Sequence, residues 1–383
     1  MLRFLTSGES HGPGLVATVE GLPAGLTVTK QGIGDELARR RLGFGRGPRM
    51  RLERDELEIL GGVRFARTLG GPVTVLIRNT EWEKWQAEMS PELGEAKKRE
   101  TKPRPGHADL VGMQKYDTHD ARDILERASA RETAARTIVG YLAKQLLGEL
   151  GVFVMSHVVA IGSVTAAEGA LPLPEDLASV DESEVRVFDA ASEAAMKKEI
   201  EAAKAARDTV GGVVEVLAYG LPPGLGSHVH WDRKLDGLIA GALMSIQAIK
   251  AVEIGDGLTQ AAVWGSAAHD EIIAQDGSYG RRSNRAGGLE GGMTTGGVLR
   301  VKAAMKPIST LMRALETVDV DTRETASAFR ERSDVCAVPA AGVVAEQMVA
   351  YVLANEVMRK FGGDTVKDLV SSFDAYRSRL ADF

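Results

Sequence analysis

The 383-residue chain contains one cysteine, Cys336. A single thiol excludes an internal disulfide and any zinc cluster built from several thiolates. A reducing cytoplasm is the compartment such usage predicts. Aromatic residues are scarce, at 5%, which argues against the stacking platforms of a single-stranded nucleic-acid binder. Neither sign of charge dominates: 47 Lys and Arg against 53 Asp and Glu leave a net charge of −6, so a nucleic-acid partner for the whole protein is not expected. No apolar run nears the ~18 residues of a membrane span, and no basic segment leads into an apolar one at the start of the chain. Glycine is what the chain has in excess, 43 residues, or about 11% against roughly 7% in average usage. That surplus predicts tight turns and backbone brought close to ligands.

The stretch that organises the chain is Gly8-Glu9-Ser10-His11-Gly12-Pro13-Gly14. Its glycines and proline predict a tight loop feeding a strand over Leu15–Val19, so that His11 is either aimed by the loop or incidental to it. Thr29 starts a helical pattern running to Leu42, with Gly43 placed to end it. Residues 39–54 then hold seven arginines interleaved with glycine, either a solvated basic face or an anion-binding loop. Strands are expected over 57–63 and 72–78, and a mobile charged loop with two tryptophans over 80–102. That loop ends in Pro105-Gly106-His107-Ala108-Asp109, a second histidine in a rigid frame.

A helix is predicted over 126–150, from the apolar stripe Ala135, Ile138, Val139, Leu142, Leu146 and Leu150. Ser129 with Glu132 fits a capping box, and the same helix start, with Arg127 and Arg131, suits an anion. Further strands are expected over 152–164, from Gly211 to Tyr219 and over 298–303, with a helix over 190–206. His228 and His230 would share the face of a strand; as a metal pair they lack further ligands at suitable spacing. Asp232 is expected to cap a helix reaching Lys250. The glycine-rich region 254–297 lacks a dinucleotide-fold pattern. Lys306-Pro307-Ile308-Ser309-Thr310 is either a phosphate cradle or an ordinary turn. Arg332-Ser333-Asp334 precedes a long apolar helix over 340–361; its Arg–Asp pair is a salt bridge and cap, or a carboxylate tuned in a cleft.

Scattered from Ser10 to Asp334, these candidates imply one site assembled from a single domain over residues 1–383. Hairpin-like strands and separate long helices, without βαβ alternation, favour the α+β class. The motifs Gly8–Gly14 through Pro23, Glu126–Thr133 through Gly140, and Arg332–Cys336 through Glu346 resemble the chorismate synthase family over essentially the whole chain. Pro105–Asp109, His228–Asp232, Met244–Ala248, Val252–Asp256 and Lys306–Ser309 extend the resemblance in the family's order. It implies a β-α-β sandwich of antiparallel sheets and long helices with internal pseudo-symmetry, assembled as a homotetramer; the pattern of expected strands and helices does not by itself reveal the repeat. It implies an anti 1,4-elimination of phosphate from 5-enolpyruvylshikimate 3-phosphate to give chorismate, with no net redox change but a requirement for reduced FMN.

Residue by residue, the resemblance assigns His11 to protonation of the leaving phosphate, His107 to the flavin N1 side and Asp334 to the flavin N5 side, with Ser10 and Ser129 as helper hydroxyls. An unperturbed histidine suits proton delivery near pH 7. Arg46, Arg49, Arg131 and Arg332 correspond to substrate contacts. Arg127, Ala128, Ser129, Gln247, Ala248, Gly291, Lys306, Pro307, Ile308, Ser309, Thr310 and Arg332 correspond to FMN contacts. Arg40 and Arg46 match positions assigned to NADPH, which acts directly or through a separate flavin reductase. Ala128 and Gln247 depart from the commoner serine and asparagine of the family. No metal and no membrane partner is expected. A binding module without turnover would have no use for His11, His107 and Asp334; a flavin oxidoreductase would consume NADPH in step with substrate.

Overall fold

Strict apolar alternation builds the first sheet. The computed structural model describes residues 1–47, 56–167, 169–275, 277–331 and 333–383. Strands β1 (Arg3–Ser7), β2 (Gly14–Glu20), β3 (Glu56–Gly61) and β4 (Val73–Arg78) pair antiparallel in the order β1-β2-β4-β3. Leu15, Ala17 and Val19 of β2 and Val73, Val75 and Ile77 of β4 are buried on one face, as the two-residue period of a strand requires. A second antiparallel sheet contains β5 (Phe153–Ile161), β6 (Val164–Thr165), β7 (Gly212–Tyr219), β8 (Ile249–Ile254) and β9 (Leu299–Met305), in the order β8-β9-β7-β5-β6.

The main helices are α1 (Lys30–Arg41), α2 (Asp109–Tyr116), α3 (Arg122–Ala128), α4 (Thr133–Gly148), α5 (Ala190–Ala205), α6 (Leu235–Met244), α7 (Val338–Phe361) and α8 (Val366–Ala381). Helix α4 packs on β2 and on α7, and α7 packs on β5 and β7. The two sheets therefore sandwich the long helices, the α+β arrangement expected. Among the described residues α7 is the one helix long and apolar enough to cross a membrane, but 89% of its apolar window is buried inside the protein. The α4–α7 crossing is close because Gly140 presents no side chain; a Cβ there would overlap Gln347.

The pseudo-symmetry is visible in the chain path. The series β1, β2, α1, β3, β4, α4 is matched by β5, β7, α6, β8, β9, α7, and the sheet orders 1-2-4-3 and 5-7-9-8 coincide. A short sequence repeat goes with it: Gly21-Leu22-Pro23-Ala24-Gly25-Leu26 after β2 and Gly220-Leu221-Pro222-Pro223-Gly224-Leu225 after β7. A buried threonine clasps each turn in the same way. Thr68 Oγ1 accepts from Leu26 N at 2.9 Å and donates to Pro23 O at 2.6 Å. Thr294 Oγ1 accepts from Leu225 N at 2.8 Å and donates to Pro222 O at 2.7 Å.

Charge is buried where the helices meet. Glu346 of α7, with no exposed side-chain surface, pairs with Arg39 of α1 at 2.7 Å and Lys144 of α4 at 2.6 Å. Burial alone would raise its pKa; the surrounding cations hold it well below the usual carboxylate range. Arg186, also fully buried, donates to Ser156 and pairs with Asp181.

Three expectations are corrected. The helix over 126–150 is interrupted: α3 ends at Ala128, Ser129 is extended, a 3₁₀ turn spans Ala130–Glu132, and α4 begins at Thr133. The cause is competition for hydrogen bonds: the carbonyl of Glu126, needed to continue α3, accepts from Ser10 N at 3.0 Å. Ser129 caps the 3₁₀ turn by accepting from Arg131 N, while Glu132 turns to Thr6 and Arg136 instead of completing a capping box. The helix from Asp232 to Lys250 is shorter, with a 3₁₀ turn at Trp231–Arg233, α6 ending at Met244 and β8 starting at Ile249. Ala248, at φ 68°, breaks it, because pairing with β9 claims the β-branched residues that follow. His228 and His230 lie on no strand; His230 pairs with Asp232 at 2.8 Å, and no metal-binding group is found among the described residues.

Thr68→Val and Thr294→Val should each destabilise the protein by about 1–3 kcal/mol, since each leaves a buried backbone N–H without its acceptor. Urea unfolding of the two variants is the measurement, and the matched geometry predicts similar losses.

Candidate active site

The Gly8–Gly14 loop is held from below. Asn79 donates its side-chain amide to the carbonyls of Glu9, Ser10 and Gly12 at 3.2, 3.2 and 2.7 Å. Gly8 takes φ +95° and abuts the Gly14 carbonyl, where a side chain would collide. This fixes Ser10 and His11 at the edge of β2, facing α3. Glu126, buried on α3, accepts from the His11 backbone N–H at 2.7 Å and contacts His11 Nδ1 at 2.9 Å. Arg122, one turn earlier, pairs with Glu126 at 2.8 Å and lies over the Trp85 ring at 4.8 Å. The Trp85 ring in turn stacks on His11 at 4.1 Å. Burial would raise the pKa of Glu126, but the hydrogen bonds from His11, with Arg122, bring it below the ordinary value.

The second histidine is built the same way. His107 Nδ1 bonds Asp109. Asp109, fully buried at the start of α2, also accepts from Arg104 Nε at 2.8 Å and from Arg104 N at 3.1 Å. Arg104 lies over the Phe329 ring at 4.6 Å and donates to Thr310 Oγ1 at 3.0 Å. Each imidazole is thus oriented by a buried carboxylate, which is neutralised by an arginine resting on an aromatic ring. Asp109 titrates at about 2: burial pushes it up, and the hydrogen bonds from His107 and Arg104 more than reverse that.

Both histidines line one cavity of about 500 Å³. Its polar lining residues include Ser10, Arg40, Arg46, Ser129, Arg131, Gln247, Lys306, Ser309, Thr310 and Asp334; its small apolar ones include Ala128, Ala130, Ala337, Ala340, Ala341 and Val344. Ser129 Oγ lies 3.2 Å from Ser10 Oγ. Asp334 accepts from Gly47 N at 2.6 Å and pairs with Arg46 at 3.0 Å, tying the loop after α1 to the start of α7. Lys306 reaches the Gly106 carbonyl at 2.5 Å, and its own N–H bonds the Ala248 carbonyl at 3.0 Å. Arg46 Nε and Gln247 Oε1 are buried with no hydrogen-bond partner among the described residues. A flat, anionic, hydrogen-bonding ligand suits such a lining. Cys336 is buried nearby with its thiol pushed up to about 11 by burial, which leaves it unreactive.

Of the residues singled out by sequence, Ala248 and Ile308 also line the cavity, and Pro307 lies between the lining residues Lys306 and Ile308. Arg127 is outside the wall; it donates to Thr6 and Gly8 and is half exposed. Gly291 sits in a hairpin turn next to His228, also outside. Arg49 and Arg332 lie outside the described residues. Sequence reading passed over Glu126, Asp109, Arg104, Arg122, Trp85 and Asn79. Asp109, two residues after His107, carried a local signal; Asn79 and Trp85 meet the His11 loop only in the fold.

Comparisons with known proteins point to one family. The chorismate synthase family profile matches residues 2–358. The chorismate synthase of Thermobifida fusca (strain YX) is 60% identical over 390 residues, covering 99% of each chain. That of Leifsonia xyli subsp. xyli (strain CTCB07) is 58% identical over 389 residues, covering 100% of this chain and 97% of its own. A crystal structure of chorismate synthase superposes with a TM-score of 0.80 at 41% identity, covering 100% of this chain and 99% of that one.

The low pKa of Asp109 has a pH consequence. A carboxyl with a folded value near 2, against an ordinary value near 3.9, adds stability that is complete above that ordinary value and is lost as pH falls through about 2. Asp109→Asn should therefore lose less stability than the parent between about pH 4 and pH 2, read from urea midpoints across that range.

Proposed function

The chain belongs to the chorismate synthase family, and on that premise we propose that its cavity takes 5-enolpyruvylshikimate 3-phosphate beside reduced FMN. The family's reaction is a phosphate lyase step, the anti 1,4-elimination that closes the shikimate pathway by forming chorismate. The observation that carries the assignment is the pair of carboxylate-oriented histidines on a single cation-rich cavity.

The reaction cleaves an allylic C–O bond, releases a phosphate dianion and removes a ring hydrogen. Arg46, Arg131 and Lys306 give the departing phosphate and the substrate carboxylates positive partners. Because Glu126 holds Nδ1 of His11, proton exchange with the leaving group falls to Nε2. Ser10 and Ser129 offer hydroxyls at the same edge. Reduced flavin, when bound, supplies the electron density that makes the C–O bond cleavable. For its phosphate and ring edge we assign Lys306 to Thr310, Ser129, Ala128, Gln247 and Ala248, with His107 near N1 and Asp334 near N5. The unpartnered Gln247 Oε1 and the small apolar lining residues support that fit. The resemblance also carries Arg127 and Gly291 to the flavin; both lie outside this wall, so the assignment rests on the lining residues. Arg40 and Arg46 are assigned to NADPH where it reduces the flavin on this chain directly; where a separate reductase does so, NADPH has no place in this cavity. The chain acts as one catalytic domain in a cytoplasmic homotetramer.

Under anaerobic conditions, protein, photoreduced FMN and 5-enolpyruvylshikimate 3-phosphate should yield chorismate and phosphate over many turnovers per flavin. Failure of this mixture would remove the assignment. Oxidised FMN with NADPH alone then separates a chain that reduces its own flavin from one that needs a reductase. His11→Ala should lower kcat by about 10²–10⁴-fold with a much smaller change in KM.

A further inference from the structure

The two histidine assemblies are joined. Glu331, on the cavity wall just before the start of α7, reaches both arginines. Its Oε1 is 3.6 Å from Arg122 Nη2, and its Oε2 is 3.7 Å from Arg104 Nη1. With the pairs already described, one unbroken series of opposite charges runs His11–Glu126–Arg122–Glu331–Arg104–Asp109–His107. Every member other than Glu331 has under a fifth of its side chain exposed, and Glu331 itself has 27%. Solvent screening within the series is therefore weak. Among the described residues, the charges paired with Glu331 are the two guanidiniums; beyond them lie the two carboxylates that orient the imidazoles.

We infer that Glu331 is a positioning residue that couples the two histidine assemblies, so that a change of charge or geometry at one is felt at the other. The physical reason is that each arginine is shared. Arg122 divides its guanidinium between Glu126 and Glu331, and Arg104 divides its own between Asp109 and Glu331. A proton gained at His11 strengthens the pull on Glu126, loosens its hold on Arg122 and leaves Arg122 to Glu331. Glu331 then yields Arg104 to Asp109 and His107. Two sites meant to act within one elimination gain from such linkage, since the leaving-group end and the flavin end of the cavity are kept in step. The inference rests on the proposed reading of the cavity for its catalytic meaning; the coupling itself is a property of the protein without ligands.

The test uses Glu331→Gln, which keeps size and removes charge, and Glu331→Asp, which keeps charge and shortens the reach. Histidine-labelled protein without ligand is titrated by NMR, with the His11 signal assigned by a His11→Gln variant. Replacing Asp109 by Asn at the far assembly should move the His11 titration midpoint by roughly a few tenths of a pH unit. In the Glu331→Gln background that response should vanish. Steady-state turnover with reduced flavin should show kcat about 2- to 30-fold lower in Glu331→Gln, KM within about twofold, and Glu331→Asp closer to the parent. An unmoved His11 midpoint in the parent, or a response that survives in Glu331→Gln, overturns the inference. Equal losses in both Glu331 variants with lowered melting temperatures do so as well, because they mark a purely structural role. Failure of the parent to turn over would count against the proposed function and leave the NMR result standing.

Discussion

A carboxylate with no exposed surface holds this protein at its centre. Glu346 on α7 binds Arg39 of α1 and Lys144 of α4, so those three helices meet around it. Stripping one partner from such a buried group generally costs about 3–5 kcal/mol, because a desolvated charge is left alone. The site depends on this junction. Arg40, the neighbour of Arg39, faces the cavity, and Arg46 on the loop beyond α1 meets Asp334 just before α7. A shift of α1 against α7 would therefore separate cations from the carboxylate that orders them. Gly140 makes the same junction sensitive to size as well as charge, since α4 and α7 touch where it has no side chain.

The pseudo-symmetric scaffold and the asymmetric site are different layers of one design. The halves repeat strand order, turn sequence and threonine clasp. The chemistry does not repeat. Ser10, His11, Arg46, His107 and Ser129 come from the first half, and Gln247, Lys306, Ser309 and Asp334 from the second. One half supplies oriented imidazoles, and the other supplies much of the wall facing them. Neither half alone encloses the cavity.

Much of the scaffold could be read in the chain because local rules and tertiary packing agreed. The period-two runs at Leu15–Val19 and Val73–Ile77 became strands, and Thr29 caps α1 by accepting from Gly32 N. Reading failed where a distant group outbid the local one. Ser10 N–H captured the Glu126 carbonyl and ended α3; nothing near Glu126 in sequence signals that. Ala248 left the helical pattern because its carbonyl serves Lys306 and the strand beyond serves β9. In the site, His11 and His107 stood out through their glycine and proline frames, whereas the carboxylates that orient them are ordinary until the fold brings them there. The repeat went unseen because its sequence traces are short and far apart: Gly-Leu-Pro-x-Gly-Leu recurs at 21–26 and 220–225, and Thr-x-Gly-Gly at 68–71 and 294–297, with little else alike between them.

The threonine clasps bear on how the molecule comes into being. Each one ties the turn after a strand to a hairpin in its own half, so the clasps themselves need no contact between the halves. The lining residues Ala340, Ala341 and Val344 belong to α7, with Ala337 at its N-cap. On a ribosome, the first sheet would be complete long before that helix emerged, and the cavity would remain an open groove. A nascent chain that still lacks this helix therefore has no formed cavity in which to hold a reactive cofactor.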